Sequence, residues 1–258
     1  MEKYTQHVQH EIPMLTKAQV EPDFVLAFQK VCNREHRIYS DAEVKALPRT
    51  FAYNRHIEEW KLREKSLKRF QKYLEKKEKT PLKVLDIGCG NGWFSSQLAQ
   101  YEHIQVDGVD VSMFLLEQAT RVFQAPNIRF FYGDVFEDIF PPDTYDLVIL
   151  NDVIQFFPDL VELLNRCEYF GTEQVEIHII DSHLYTPGKT EAEIVATRDF
   201  YTELRSEDIL PYINYHQKDQ LEIFRTDYLY KPMALSKMFS NKPKFKNFDR
   251  PWIRIRKW

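Results

Sequence analysis

The chain has 258 residues, 43% hydrophobic and 14% aromatic, enough to bury one large α/β domain with additions. Its formal charge of −4 gives no global basic field and argues against a nucleic-acid partner. Cys32, Cys89 and Cys167 lack metal-ligand spacing, which predicts a reduced compartment and no metal, and no apolar run approaches the ~18 residues of a membrane span.

The first ten residues, MEKYTQHVQH, are polar and carry no secretion signal, so a cytoplasmic chain is expected. His7 and His10 read as part of a polar tail rather than a metal pair. Residues 1–56 stand outside any α/β pattern and read as a helical cap. PDFVLAFQKVC is an amphipathic helix, and SDAEVKAL a second, with Ser40 at its N-cap. From Ile57 to Lys79 the pattern predicts one long helix with Trp60, Leu67, Phe70 and Leu74 on its apolar stripe, ended by Thr80-Pro81.

At Leu82 the pattern changes to strands alternating with helices. Val84-Leu85-Asp86-Ile87 is a buried strand, and Gly88, Gly90 and Gly92 follow at alternate positions before a helix containing Trp93, Phe94 and Leu98. Glycine suits a place where the backbone turns sharply and a ligand approaches it closely. His103–Val109 is the second strand, with Asp110 at its carboxyl end, and Ser112 opens the next helix. Ile128–Tyr132 is the third strand, followed by Gly133-Asp134-Val135, and Tyr145–Leu150 the fourth, ending at Asn151-Asp152. Phe157–Phe170 reads as a helix, and Val175–Ile180 as the fifth strand, ending at Asp181-Ser182-His183. Such alternation implies parallel βαβ units with right-handed crossovers.

Each strand ends in a polar residue, and in open α/β sheets the ligand crevice lies along those carboxyl ends. Asp86, Asp110, Asp134, Asn151 and His183 are thus expected on one rim. Two ligand classes compete for the glycine turn. A dinucleotide wants G-x-G-x-x-G and bare N–H groups for its pyrophosphate. Here the third glycine comes one place early, and Asp86 stands where a carboxylate repels phosphate. The same carboxylate suits a ligand that presents an ammonium group.

Residues 82–182 resemble the core of the class I S-adenosylmethionine-dependent methyltransferases. The resemblance implies a Rossmann-like, doubly wound, mostly parallel sheet with an antiparallel last strand, and S-adenosylmethionine as cofactor. DIGCGNG (Asp86, Gly88, Cys89, Gly90, Asn91, Gly92) matches the motif that embraces the methionine moiety. GVDVS matches the second motif, which implies Asp110 on the ribose hydroxyls and Val111 beside the adenine. GDV matches the third, which implies Asp134 on the adenine amino group, with Val135 next to it. YDLVILNDVIQFF matches the fourth, which brings Asn151 and Asp152 past the methyl-transfer centre. The family also implies a final hairpin, for which Gln220–Tyr230 and Pro251–Trp258 qualify. The fourth motif reads NDVI rather than N-P-P-[YF], which directs the expected acceptor towards small molecules.

Methyl transfer needs alignment and exclusion of water more than any one residue type. His183 is the leading candidate for a base, with Asp152 second. Within an expected methyltransferase domain of residues 57–258, the long segment 183–219 and the cap 1–56 should roof the site and enclose the acceptor. Two alternatives stand beside this reading: a non-catalytic module that binds S-adenosylmethionine or S-adenosylhomocysteine, and a nicotinamide-dependent oxidoreductase.

Overall fold

The protein is represented by a computed structural model that describes residues 12–17, 19–77, 80–188, 190–232 and 250–257. His7, His10 and residues 233–249 lie outside the described residues. Near the N-terminus come α1 (Pro22–Arg34), α2 (Asp41–Ala46) and α3 (Ile57–Leu74). The Ser40 hydroxyl accepts from the Glu43 N–H while the Glu43 carboxylate accepts from the Ser40 N–H, so α2 starts on a complete capping box. The long predicted helix ends at Leu74, five residues before the expected Lys79.

The α/β alternation follows: β1 (Leu82–Ile87), α4 (Trp93–Leu98), β2 (Ile104–Asp110), α5 (Met113–Val122), β3 (Ile128–Tyr132) and β4 (Tyr145–Asn151). Then come α6 (Leu160–Phe170), β5 (Gly171–Ile180), α7 (Glu191–Glu203), β6 (Arg225–Tyr230) and β7 (Trp252–Arg256). The seven strands run in the order β3-β2-β1-β4-β5-β7-β6. β1 to β5 pair in parallel, whereas β7 is antiparallel to both β5 and β6, which makes the expected last hairpin.

The central strands read as near-continuous apolar runs because helices cover both of their faces. On one face Val84, Val106, Leu147 and Ile149 meet the apolar stripes of α3, α4 and α5 through Leu67, Phe70, Leu98 and Leu116. On the other, Leu85, Ile87, Val148 and Leu150 meet α6 through Leu160, Leu163, Leu164 and Cys167. A third, smaller cluster joins α1 to a 3₁₀ turn at Glu207–Tyr212 through Ala27, Val31 and Ile209. The N-terminal segment thereby packs on the segment after β5, above the carboxyl ends of the strands. Among the described residues no helix is long and apolar enough to cross a membrane, and no group of three or more His, Cys, Asp or Glu is placed to hold a metal.

Candidate functional site

The glycine turn is folded back on the end of β2. The Gly88 and Cys89 N–H groups both donate to the Val109 carbonyl, at 2.8 and 3.2 Å. The Asp110 carboxylate accepts from the Gly90 N–H through one oxygen and the Ser112 N–H through the other, each at 2.8 Å. Gly88 has φ +68°, and a Cβ there would fall 2.2 Å from Val153 Cγ2, so only glycine fits. Beside the turn opens a cavity of about 420 Å³, within the range of small-molecule sites. Its walls include Ile87, Gly88, Asp110, Val111, Ser112, Asp134 and Val135 from the strand ends, and Val20, Phe24, Val25 and Phe28 from α1 and the chain before it.

The structure thus brings Gly88, Asp110, Val111, Asp134 and Val135 to one cavity wall and places the other predicted residues elsewhere. Asp86 is 1% exposed, beneath the turn, and its Oδ2 accepts from the Ser95 hydroxyl at 2.5 Å. Burial, with the nearby Asp110 charge adding to it, pushes its carboxyl up to about 7. Its position at the turn suggested direct contact with a ligand; instead it anchors α4 to β1. Cys89 is buried in packing against Gly108, and Asn91 accepts from the Trp93 N–H at the start of α4. Gly90 and Gly92 shape the backbone at φ +56° and +75°. The Asn151 Oδ1 is buried and has no partner among the described residues, away from both cavity walls.

A second cavity, of about 250 Å³, adjoins the first, and Phe28, Asp152, Phe156 and Asn214 belong to both walls. His183 lines this second cavity, edge-to-face with Tyr185 at 4.3 Å between ring centroids. Asp152, the other predicted base, stands on the boundary with φ +54°, a left-handed conformation that aspartate tolerates better than most residues. Its carboxylate accepts from Arg63 through Oδ2 and from Arg250 through Oδ1. An oxygen pair so engaged is placed to organise the wall rather than to take a proton. Glu59 continues the chain of charges: it accepts from Arg63 at 3.0 Å and from Arg37 at 2.9 and 2.7 Å, and Arg37 also donates to Glu35. Sequence reading missed Arg37, Glu59, Arg63, Gln155 and Arg250. One signal was available, since Glu59 and Arg63 interrupt the apolar stripe of α3 and are 5% and 7% exposed.

A family model described as a methyltransferase domain matches residues 84–169, which contain the glycine turn, Asp110, Asp134 and Asp152. This stretch is a methyltransferase domain of the class I S-adenosylmethionine-dependent type. Among curated relatives, the chain is 36% identical over 81 residues to the malonyl-[acyl-carrier protein] O-methyltransferase of Halalkalibacterium halodurans, covering 30% of each chain. It is 38% identical over 90 residues to the trans-aconitate 2-methyltransferase of Deinococcus radiodurans, covering 34% of this chain and 33% of that one. The chain spans about a third of the length of these curated relatives. The YcgJ protein from Bacillus subtilis shares the fold with a TM-score of 0.56 and 14% identity, over 75% of this chain and 98% of that one. Phosphoethanolamine N-methyltransferase 2 from Haemonchus contortus does so at 0.52 and 16%, over 75% and 52%.

The first cavity fits the family's cofactor, S-adenosylmethionine. Gly88 puts bare backbone on the cavity wall. Both Asp110 oxygens are fixed by backbone donors yet keep lone pairs for a ribose diol. Val111 and Val135 supply apolar surface for a base.

Proposed function

We propose that this chain is a methyltransferase that transfers the methyl group of S-adenosylmethionine to a small-molecule acceptor. The observation that carries this reading is that two cavities meet at Asp152 and Phe156, one bounded by the glycine turn and Asp110, the other by the residues above the strand ends. In this reading Asp110 holds the ribose hydroxyls, Asp134 the adenine amino group, and Val111 and Val135 flank the base. The turn from Gly88 to Gly92 cradles the methionine moiety, with Asp86 supporting it from below. The cofactor supplies a methyl already activated by the sulfonium.

The second cavity holds the acceptor. Its volume suits a metabolite-sized group, and its apolar surface keeps water from the methyl. His183 acts there as the base. Asp152, held between Arg63 and Arg250, fixes the boundary where the two substrates face each other. Residues 1–56 and 183–219 form the roof of a methyltransferase domain that runs from 57 to 258. The relatives' names are compatible with small acceptors, but their matches cover only the core, whereas the second cavity is built mostly from residues outside it.

Calorimetry with S-adenosylmethionine, and turnover of the methyl-labelled cofactor against a metabolite extract, test this reading. Binding with label transfer supports it. Binding without transfer to any compound would favour the non-catalytic module, and the absence of binding would refute both.

A further inference from the structure

We propose that the acceptor presents its nucleophile as an N–H or O–H group, which donates to Gln155 Oε1 in the second cavity, beside the boundary residue Asp152. This inference rests on the methyltransferase reading and names the acceptor's chemistry within it.

Gln155 lies on the wall of the second cavity, in the 3₁₀ turn Ile154–Phe156 after β4. Its Nε2 donates to the Asp152 carbonyl at 2.8 Å and lies 3.4 Å from Asp152 Oδ1. Both partners are acceptors only, so they determine which end of the amide is which. The other end, Oε1, is buried and has no hydrogen-bond partner among the described residues. A buried carbonyl oxygen without a donor is unfavourable, and this one, unlike Asn151 Oδ1, belongs to a residue that lines a cavity. A donor on the bound acceptor would satisfy it. Gln155 also sits beside Asp152, where the methyl would arrive, so the donor belongs to the nucleophile or to its immediate neighbour.

The charges point the same way. The second cavity has three guanidinium groups in its wall, yet Arg37 is engaged by Glu35 and Glu59, Arg63 by Glu59 and Asp152, and Arg250 by Asp152. Their positive charge is compensated within the wall. A carboxylate acceptor brought to the boundary would face the Asp152 carboxylate and the Gln155 carbonyl, both repulsive to it. An N–H or O–H nucleophile meets the same two groups as hydrogen-bond acceptors rather than as repelling charges. In the transfer, the nucleophile's lone pair forms the new N–C or O–C bond. The S–CH₃ bond breaks with its electron pair going to sulfur; the proton, directed at Gln155 Oε1 before reaction, becomes acidic as the new bond forms and is then lost to His183, the base assigned above.

The test uses the full chain, methyl-tritiated S-adenosylmethionine and a protein-free small-molecule cell extract, with the products treated with mild alkali. Methyl esters release volatile labelled methanol, whereas methylamines and methyl ethers do not. The expected label is alkali-stable and located on nitrogen or oxygen by mass spectrometry. Gln155→Met, which keeps the length but has no acceptor oxygen, should slow transfer at least tenfold with cofactor affinity unchanged. Gln155→Glu, which keeps one, should retain more of the rate than Gln155→Met. Volatile methanol, a methyl group placed on carbon, or a Gln155→Met enzyme as fast as the parent would each overturn the proposal while leaving a methyltransferase. No labelled product despite cofactor binding would remove the methyltransferase reading, and this inference with it.

Discussion

Asp110 performs two tasks with one carboxylate: it ties Gly90 and Ser112 into the turn and turns its remaining lone pairs to the first cavity. Asp110→Ala should remove two charge-assisted hydrogen bonds to a ribose, each worth roughly 1.5–3 kcal/mol. Calorimetry is expected to show affinity for S-adenosylmethionine reduced by about a hundredfold or more; unchanged affinity would remove Asp110 from the ribose. Asp86 has a different signature. Burial lifts its carboxyl to about 7, above the ordinary value of about 4 in the unfolded chain. The folded protein therefore holds a proton that the unfolded chain releases across this window. Stability should fall as pH rises from about 4 to about 7 and level off above it. Asp86→Asn removes that contribution, so its Tm should gain on the parent's as pH rises. Parallel Tm curves for the two proteins would show that Asp86 holds no such proton.

On α3, two charged residues occupy the buried face at the i, i+4 spacing, where Arg63 Nε pairs with Glu59 Oε1 at 3.0 Å. Burial acts to raise the Glu59 carboxyl, but Arg63 and Arg37 outweigh it and hold it down at about 2. Its contribution to stability is thus present above the unfolded value of about 4.5 and is lost as pH falls towards 2. Removing one member of such a buried set leaves its partners charged and uncompensated, at a cost of about 3–5 kcal/mol. Arg63→Met should lower stability by that amount in urea unfolding, because Glu59 and Asp152 lose a shared cation. A variant as stable as the parent would mean the network contributes little. On α2 the capping box makes a milder prediction: Ser40→Ala should cost about 1 kcal/mol in the same measurement, since only local N–H groups are left unsatisfied.

At the scale of the whole molecule, the N-terminal segment has a wider part than the sequence suggested. It was expected to roof the site and enclose the acceptor. Phe28 lines both cavities, and Val20, Phe24 and Val25 line the first. Deleting residues 1–45 should therefore weaken cofactor binding by more than tenfold, or ~1.4 kcal/mol, as well as abolish transfer. Phe24→Ala, which leaves the chain intact, should weaken it in the same direction. Affinity unaltered in a folded Phe24→Ala protein would show that the core alone binds the cofactor.

The order of strands and helices as far as β5, the glycine turn, and the acidic residues at the ends of β2 and β3 were legible in the sequence, whereas α7 was not. The legible features are encoded locally: a buried strand must be apolar throughout, and a turn at φ +68° with Val153 against it must be glycine. The sequence also placed the Ser40 cap, because a capping box is complete within four residues. The tertiary structure alone decided which polar residues face a cavity. Asp86 and Asp110 both stand at the carboxyl ends of apolar strands, yet one is sealed beneath the turn against Ser95 and the other lines the first cavity. The second cavity was hidden for a stronger reason. Its wall combines Arg37, Arg63, Asp152, Gln155, His183 and Arg250, up to 213 positions apart in the chain. No local pattern records such a set, because each member is compensated only by partners that the packing of α3, the β4 turn and the approach to β7 brings together.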